Sequence, residues 1–153
     1  MKILIITLLS LFNFMNTGKL HDAVAAKFQI VVRGEVMFLE IEFEEENLVK
    51  LNKTKSLHVT KKEFENYLNE TTNWIFNTKK IIPKVLDIQT EGHHKKAICF
   101  LSEKKEDIKF ISVKNEFLLD IQSHINIVML NINNTFKDFE LDTKRREIIV
   151  NYN

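Results

Sequence analysis

Between Lys27 and Glu44 apolar and polar residues alternate with period two, and no other part of the chain constrains the fold as tightly. Phe28, Ile30 and Val32 share one face, with Lys27, Gln29 and Arg33 opposite. After Arg33-Gly34-Glu35 the alternation resumes, with Met37, Leu39, Ile41 and Phe43 pointing one way and Glu40, Glu42 and Glu44 the other. Successive strand side chains face opposite sides of a sheet, so both segments read as half-buried strands. The glycine-containing turn between them makes a β-hairpin.

A helix is predicted next. Thr60 and Glu63 are spaced as a capping box, in which hydroxyl and carboxylate satisfy each other's backbone amides. Beyond it Phe64, Tyr67, Leu68, Thr71, Trp74 and Ile75 recur at helical spacing, which predicts one helix running to about Thr78. Aromatic residues in such a stripe read as core. After Pro83 the pattern gives a strand at Val85–Ile88, a polar loop over Gln89–Lys96 and a strand at Ala97–Leu101. A turn follows at Ser102–Asp107, then an apolar run from Ile108 to Ile111 and a short second helix through Phe117, Leu118 and Ile121. Strands at Ile125–Ile132 and Phe136–Leu141 join through Asn133-Asn134-Thr135, and Arg146–Val150 closes the chain. The sum is an α+β domain over residues 19–153, mainly an antiparallel β-sheet with one substantial α-helix packed on it.

The first residues read differently. Lys2, the apolar run Ile3–Met15 and the small and polar residues after it have the layout of a secretory signal peptide over residues 1–18, with cleavage expected between 18 and 25. The run is shorter than the ~20 apolar residues of a membrane span. The expectation is an exported, periplasmic protein with no membrane span once the signal is removed.

Composition excludes several functions. Lys and Arg total 22 against 21 Asp and Glu, and basic pairs such as Lys79-Lys80 and Lys104-Lys105 are scattered. No basic footprint for a phosphate backbone emerges, so no nucleic-acid partner is expected. With three glycines and one proline, neither a dinucleotide fingerprint, a P-loop nor a nucleophile elbow can be written. Cys99 is the only cysteine. In an oxidising compartment it is buried and inert, bridged to another molecule, or a metal ligand, and its neighbours Ile98, Phe100 and Leu101 favour burial.

Candidate chemistry is sparse. Glu40 and Glu42 share the solvent face of a hairpin, where nothing splits their acidities as an acid–base pair requires. Ser56 and His58 are near in sequence without a legible orienting acid. His124 precedes an apolar strand and reads as a core or edge histidine. What remains is His93-His94 in the loop, Glu91 beside them, and the distant His21-Asp22. Adjacent histidines face opposite ways on a strand but can converge in a loop, where imidazoles and a carboxylate suit zinc.

Read as a whole, "HDAVAAKFQIVVRGEVMFLEIEFEEENLV" (His21–Val49), the helix "VTKKEFENYLNETTNWIF", "GHHKKAICF" and the closing "KNEFLLDIQSHINIVMLNINNTFKDFELD" resemble the ZrgA-like family of bacterial periplasmic proteins associated with zinc uptake. In that family a phenylalanine–glutamate–histidine triplet follows the "NLV" segment. Here those places hold Leu51, Asn52 and Lys53. His58 lies a few residues on and would substitute if the loop reroutes. The family's histidine-rich insertion is reduced to His93 and His94, and the first of its two cysteines, expected near Ile82, is absent. The resemblance therefore implies that Cys99 survives from a lost disulfide. It further implies a non-catalytic zinc-binding or zinc-uptake protein with His21, His93 and His94 as ligands and Glu91 or Asp22 as oxygen donor. The partner would be a zinc ion or a component of a zinc transporter. The alternative is an exported protein-interaction module on the same fold that no longer binds metal.

Overall fold

The predicted hairpin forms as read. In the computed structural model, which describes residues 25–103 and 107–152, β1 (Ala25–Arg33) and β2 (Val36–Phe43) pair antiparallel from Lys27↔Glu42 to Arg33↔Val36. Gly34 holds the positive φ of the turn at 62°, a region that residues with a Cβ rarely enter. The expected signal peptide, His21 and Asp22 lie outside the described residues.

A short helix, α1 (Glu45–Lys50), follows β2, and α2 (Lys61–Thr71) carries the capping box, with Thr60 Oγ1 accepting from the Glu63 amide. The remaining strands are β3 (Thr72–Phe76), β4 (Lys79–Ile81), β5 (Lys84–Glu91), β6 (His94–Glu103), β7 (Phe110–Asn115), β8 (Ile125–Ile132), β9 (Thr135–Leu141) and β10 (Glu147–Asn151). They form two sheets, one ordered β5-β6-β2-β1-β8-β9 and the other β10-β7-β3-β4. All pairings are antiparallel except β1 with β8, which run parallel from Ala25↔Ile125 to Ile30↔Leu130.

Three sequence expectations are corrected here. The helix stops at Thr71, seven residues short of the predicted Thr78. The Thr71 and Thr72 hydroxyls donate to the Tyr67 and Leu68 carbonyls at 2.7 and 2.8 Å, occupying the acceptors of the last turn, and the chain continues as β3 against β7. Trp74 satisfies both periods, and tertiary pairing chooses the strand: Thr72, Trp74 and Phe76 are its buried positions. The short second helix is α1, whereas Phe117–Ile121 forms successive turns. The polar loop Gln89–Lys96 is mostly strand, with only Gly92-His93 left as the turn between β5 and β6.

One core joins the layers. Phe28 of the larger sheet meets Trp74 of the smaller at 6.5 Å. Phe117 sits among Phe28, Phe43, Phe64 and Tyr67 with ring centroids 5.2 to 6.2 Å apart. The hairpin follows the sequence pattern, with Phe28, Ile30, Met37, Leu39, Ile41 and Phe43 buried, except at Val32, which is exposed beside the turn. Cys99 is fully buried in this core, and burial pushes its thiol up to about 12, which keeps it protonated at neutral pH.

Candidate functional site

The hairpin of β5 and β6 carries the histidines to the end of the larger sheet, beside α1. A groove of about 460 Å³ opens there, lined by Glu45, Glu46 and Val49 of α1, Leu57 and His58 of the following loop, and Thr90, Gly92, His93, His94 and Lys95 of the hairpin. Gly92 is the first turn residue and has φ of 63°, the geometry that lets a two-residue turn follow the strand twist. His93 is the second turn residue and His94 begins β6.

Glu45 organises the inner wall. Its carboxylate accepts from the Val59 amide at 2.7 Å, lies 3.3 Å from His58 Nδ1, and pairs with Lys95 Nζ at 3.5 Å. Burial raises the pKa of Glu45, but the Val59 amide, His58 and Lys95 outweigh it and hold the carboxyl below the usual carboxylate range. With a carboxylate as its neighbour, His58 Nδ1 carries the proton, which leaves Nε2 as the free lone pair. The His58 side chain is 83% exposed. Ser56 does not reach the imidazole: its hydroxyl donates to the His58 carbonyl at 2.8 Å. The acid beside the imidazole is Glu45, which the sequence did not make legible.

The expected ligands are divided by the strand pleat. His94 and Glu91 are cross-strand partners flanking the turn. Along β6, alternation places His94 with Lys96 on the outer face, and Lys95 with Ala97 and Cys99 on the inner one. Glu91 is 3.7 Å from Lys96 Nζ. His93, at the turn, belongs to the groove with His58. Among the described residues no group of three or more His, Cys, Asp or Glu side chains is gathered closely enough to hold a metal ion. The groove is therefore not an assembled metal site among the described residues. It offers imidazoles on a groove rim, one of them fixed in tautomer by a carboxylate, whereas Lys95 occupies the Glu45 oxygen that a cation would otherwise use.

Sequence reasoning missed Glu45 and Lys95. The bond from Glu45 to Val59 spans a loop whose path no local pattern specifies. His124, expected as a core or edge histidine, is buried, with Nε2 at 3.2 Å from Asn126 Oδ1 and no partner for Nδ1. The outer-face glutamates are neutralised by neighbours: Glu40 by Arg33 and Lys96, Glu42 by Lys27. No helix among the described residues is long and apolar enough to cross a membrane. No protein-family model and no curated protein matches the chain.

Proposed function

We propose that this chain is an exported, periplasmic, non-catalytic protein that binds zinc weakly and exchangeably at the tip of the β5–β6 hairpin. The observation that carries the reading is the groove whose lining His58, a residue set apart in sequence, shares with His93 and His94. Imidazole nitrogen suits zinc, and a ligating histidine characteristically donates its other ring proton to a carboxylate; the His58–Glu45 contact has that form. His58 takes the place of the histidine that the resemblance leads one to expect after "NLV". Glu91, outside the groove lining, completes the proposed donor set with His21, which lies outside the described residues. The carboxylates in salt bridges on the outer face support a binding protein over an enzyme, since they lack the paired environments of acid–base chemistry.

The test is calorimetric titration of zinc into the mature chain beginning at Lys19. Zinc should bind, and a His93→Ala/His94→Ala variant and a His58→Ala variant should each lose about tenfold or more in affinity, equivalent to about 1.4 kcal/mol. Unchanged affinity in both variants would sink the site. An interaction module is the second reading, favoured by the unequal treatment of the two edges of the larger sheet.

A further inference from the structure

The larger sheet ends in β5 on one side and β9 on the other, and only β5 is capped, over its first residues. At β5, α2 supplies the missing partners. Glu65 accepts from the Val85 amide at 2.8 Å, and Lys61 donates to the Leu86 carbonyl at 2.8 Å. A bulge at Leu86 further interrupts the edge. Such devices keep another strand from pairing.

β9 has none of them. It joins β8 through the two-residue turn Asn133-Asn134, both at positive φ, with Ile132 opposite Thr135. In such a hairpin the residues flanking the turn exchange hydrogen bonds, and bonded and non-bonded positions then alternate. Thr135, Lys137, Phe139 and Leu141 therefore direct their amides and carbonyls to β8. Phe136, Asp138 and Glu140 direct theirs outward, unpaired, and all three side chains are exposed on the outer face, Phe136 to 60%.

The charge pattern across that face says what is missing. One row runs Lys96, Glu42, Lys27, Ile127, Glu140, and the next runs Ile98, Glu40, Gln29, Met129, Asp138. Glu40 and Glu42 have cations beside them on neighbouring strands. Asp138 and Glu140 have none, because among the described residues no strand follows β9 in the sheet. Lys137 and Arg145, the nearby cations, lie over the Tyr152 and Phe139 rings instead.

We infer that β9 is a docking edge for an extended peptide that carries cations at alternate positions beside Asp138 and Glu140 and an apolar residue beside Phe136. Opposite charges directly across a strand pair stabilise it, and like charges oppose it. The same rule disfavours a second copy of this chain: pairing two β9 strands in the fully overlapped antiparallel register sets Asp138 against Asp138. Strand addition supplies affinity through the main chain and specificity through alternate side chains. This inference does not depend on zinc.

The experiment uses two labelled peptides, Thr-Lys-Thr-Lys-Thr-Val-Thr and its counterpart with both lysines replaced by glutamate, with binding to the full chain followed by fluorescence polarisation. The lysine peptide should bind about tenfold or more tighter than the glutamate peptide. Asp138→Lys/Glu140→Lys should reverse that order. Asp138→Pro removes an outward amide without touching the β8 ladder, and should abolish binding while the circular dichroism stays unchanged. Equal binding of the two peptides, binding of neither, or lysine-peptide binding that survives both variants would overturn the inference. So would a concentration-dependent dimer, seen by sedimentation and lost in Asp138→Pro.

Discussion

His124 and His58 are held in opposite ways, and the regions around them differ accordingly. His124 is buried at the end of the core, where Asn126 donates to Asn115 Oδ1 at 3.1 Å and to the Phe117 carbonyl at 2.8 Å. The Phe117 amide in turn donates to Asn115 Oδ1 at 3.0 Å. That network pins a segment with two residues in left-handed conformation, Leu118 and Ser123, and so places the Phe117 ring at the centre of the aromatic cluster. His58, by contrast, stands in solvent on a loop tied down chiefly by one carboxylate. The difference teaches where this chain invests its polar groups: amides and one imidazole inside to specify one backbone path, and His58 and the hairpin-tip histidines outside, in contact with solvent. Buried polar groups must be satisfied or they destabilise the fold, so the inner set is structural by necessity and the outer set is free to serve binding.

Truncation at the inner region should have the largest effect. Phe117→Ala, which empties the centre of the cluster, should destabilise by about 3–5 kcal/mol, read by urea denaturation; a loss under about 1 kcal/mol would mean that the ring is not the keystone of that end. A smaller effect belongs to acid. Burial lowers the pKa of His124, partly offset by its bond to Asn126. The folded state thus resists a proton that the unfolded chain accepts near the ordinary value of about 6.5. Stability is complete above that pH and declines as pH falls below it. The thermal midpoint should drop between pH 7.5 and 5.5, and drop less in His124→Gln; equal drops would remove His124 from the account.

The smallest effect should come from the groove. His93→Ala/His94→Ala changes a turn tip and an exposed strand start, so metal-free stability should stay within about 0.5 kcal/mol of the parent. A large loss there would erase the contrast, making the hairpin tip a structural element rather than a surface held for a ligand.

Much of the architecture was legible in the sequence because period-two patterns report burial directly. The β1–β2 hairpin, the capping box at Thr60, and the strands β8 and β9 all lie where alternation and local hydrogen bonding place them. Trp74 was not legible, since a residue seven positions after Tyr67 and two before Phe76 fits a helix or a strand until a partner strand is chosen. The Gln89–Lys96 stretch was misread for a related reason: its polarity marks exposure, and β5 is an exposed edge there. Of the candidate site, His93 and His94 stood out through their rarity. Glu45, Lys95 and the orientation of His58 did not, since their contacts join segments whose sequences carry no record of one another.

By itself the sequence determined the local decisions of this chain: which face of each strand turns inward, where α2 begins, and that Cys99 is enclosed by apolar neighbours. These depend on the side chains of adjacent residues, whose spacing is written in the chain. Only the tertiary structure decided that the strands divide into two sheets, that β1 and β8 run parallel, that Glu45 fixes His58 beside His93, and that β5 is capped while β9 lies open. Each of these is a pairing between distant segments, set by which arrangement buries one common core and satisfies the backbone groups within it.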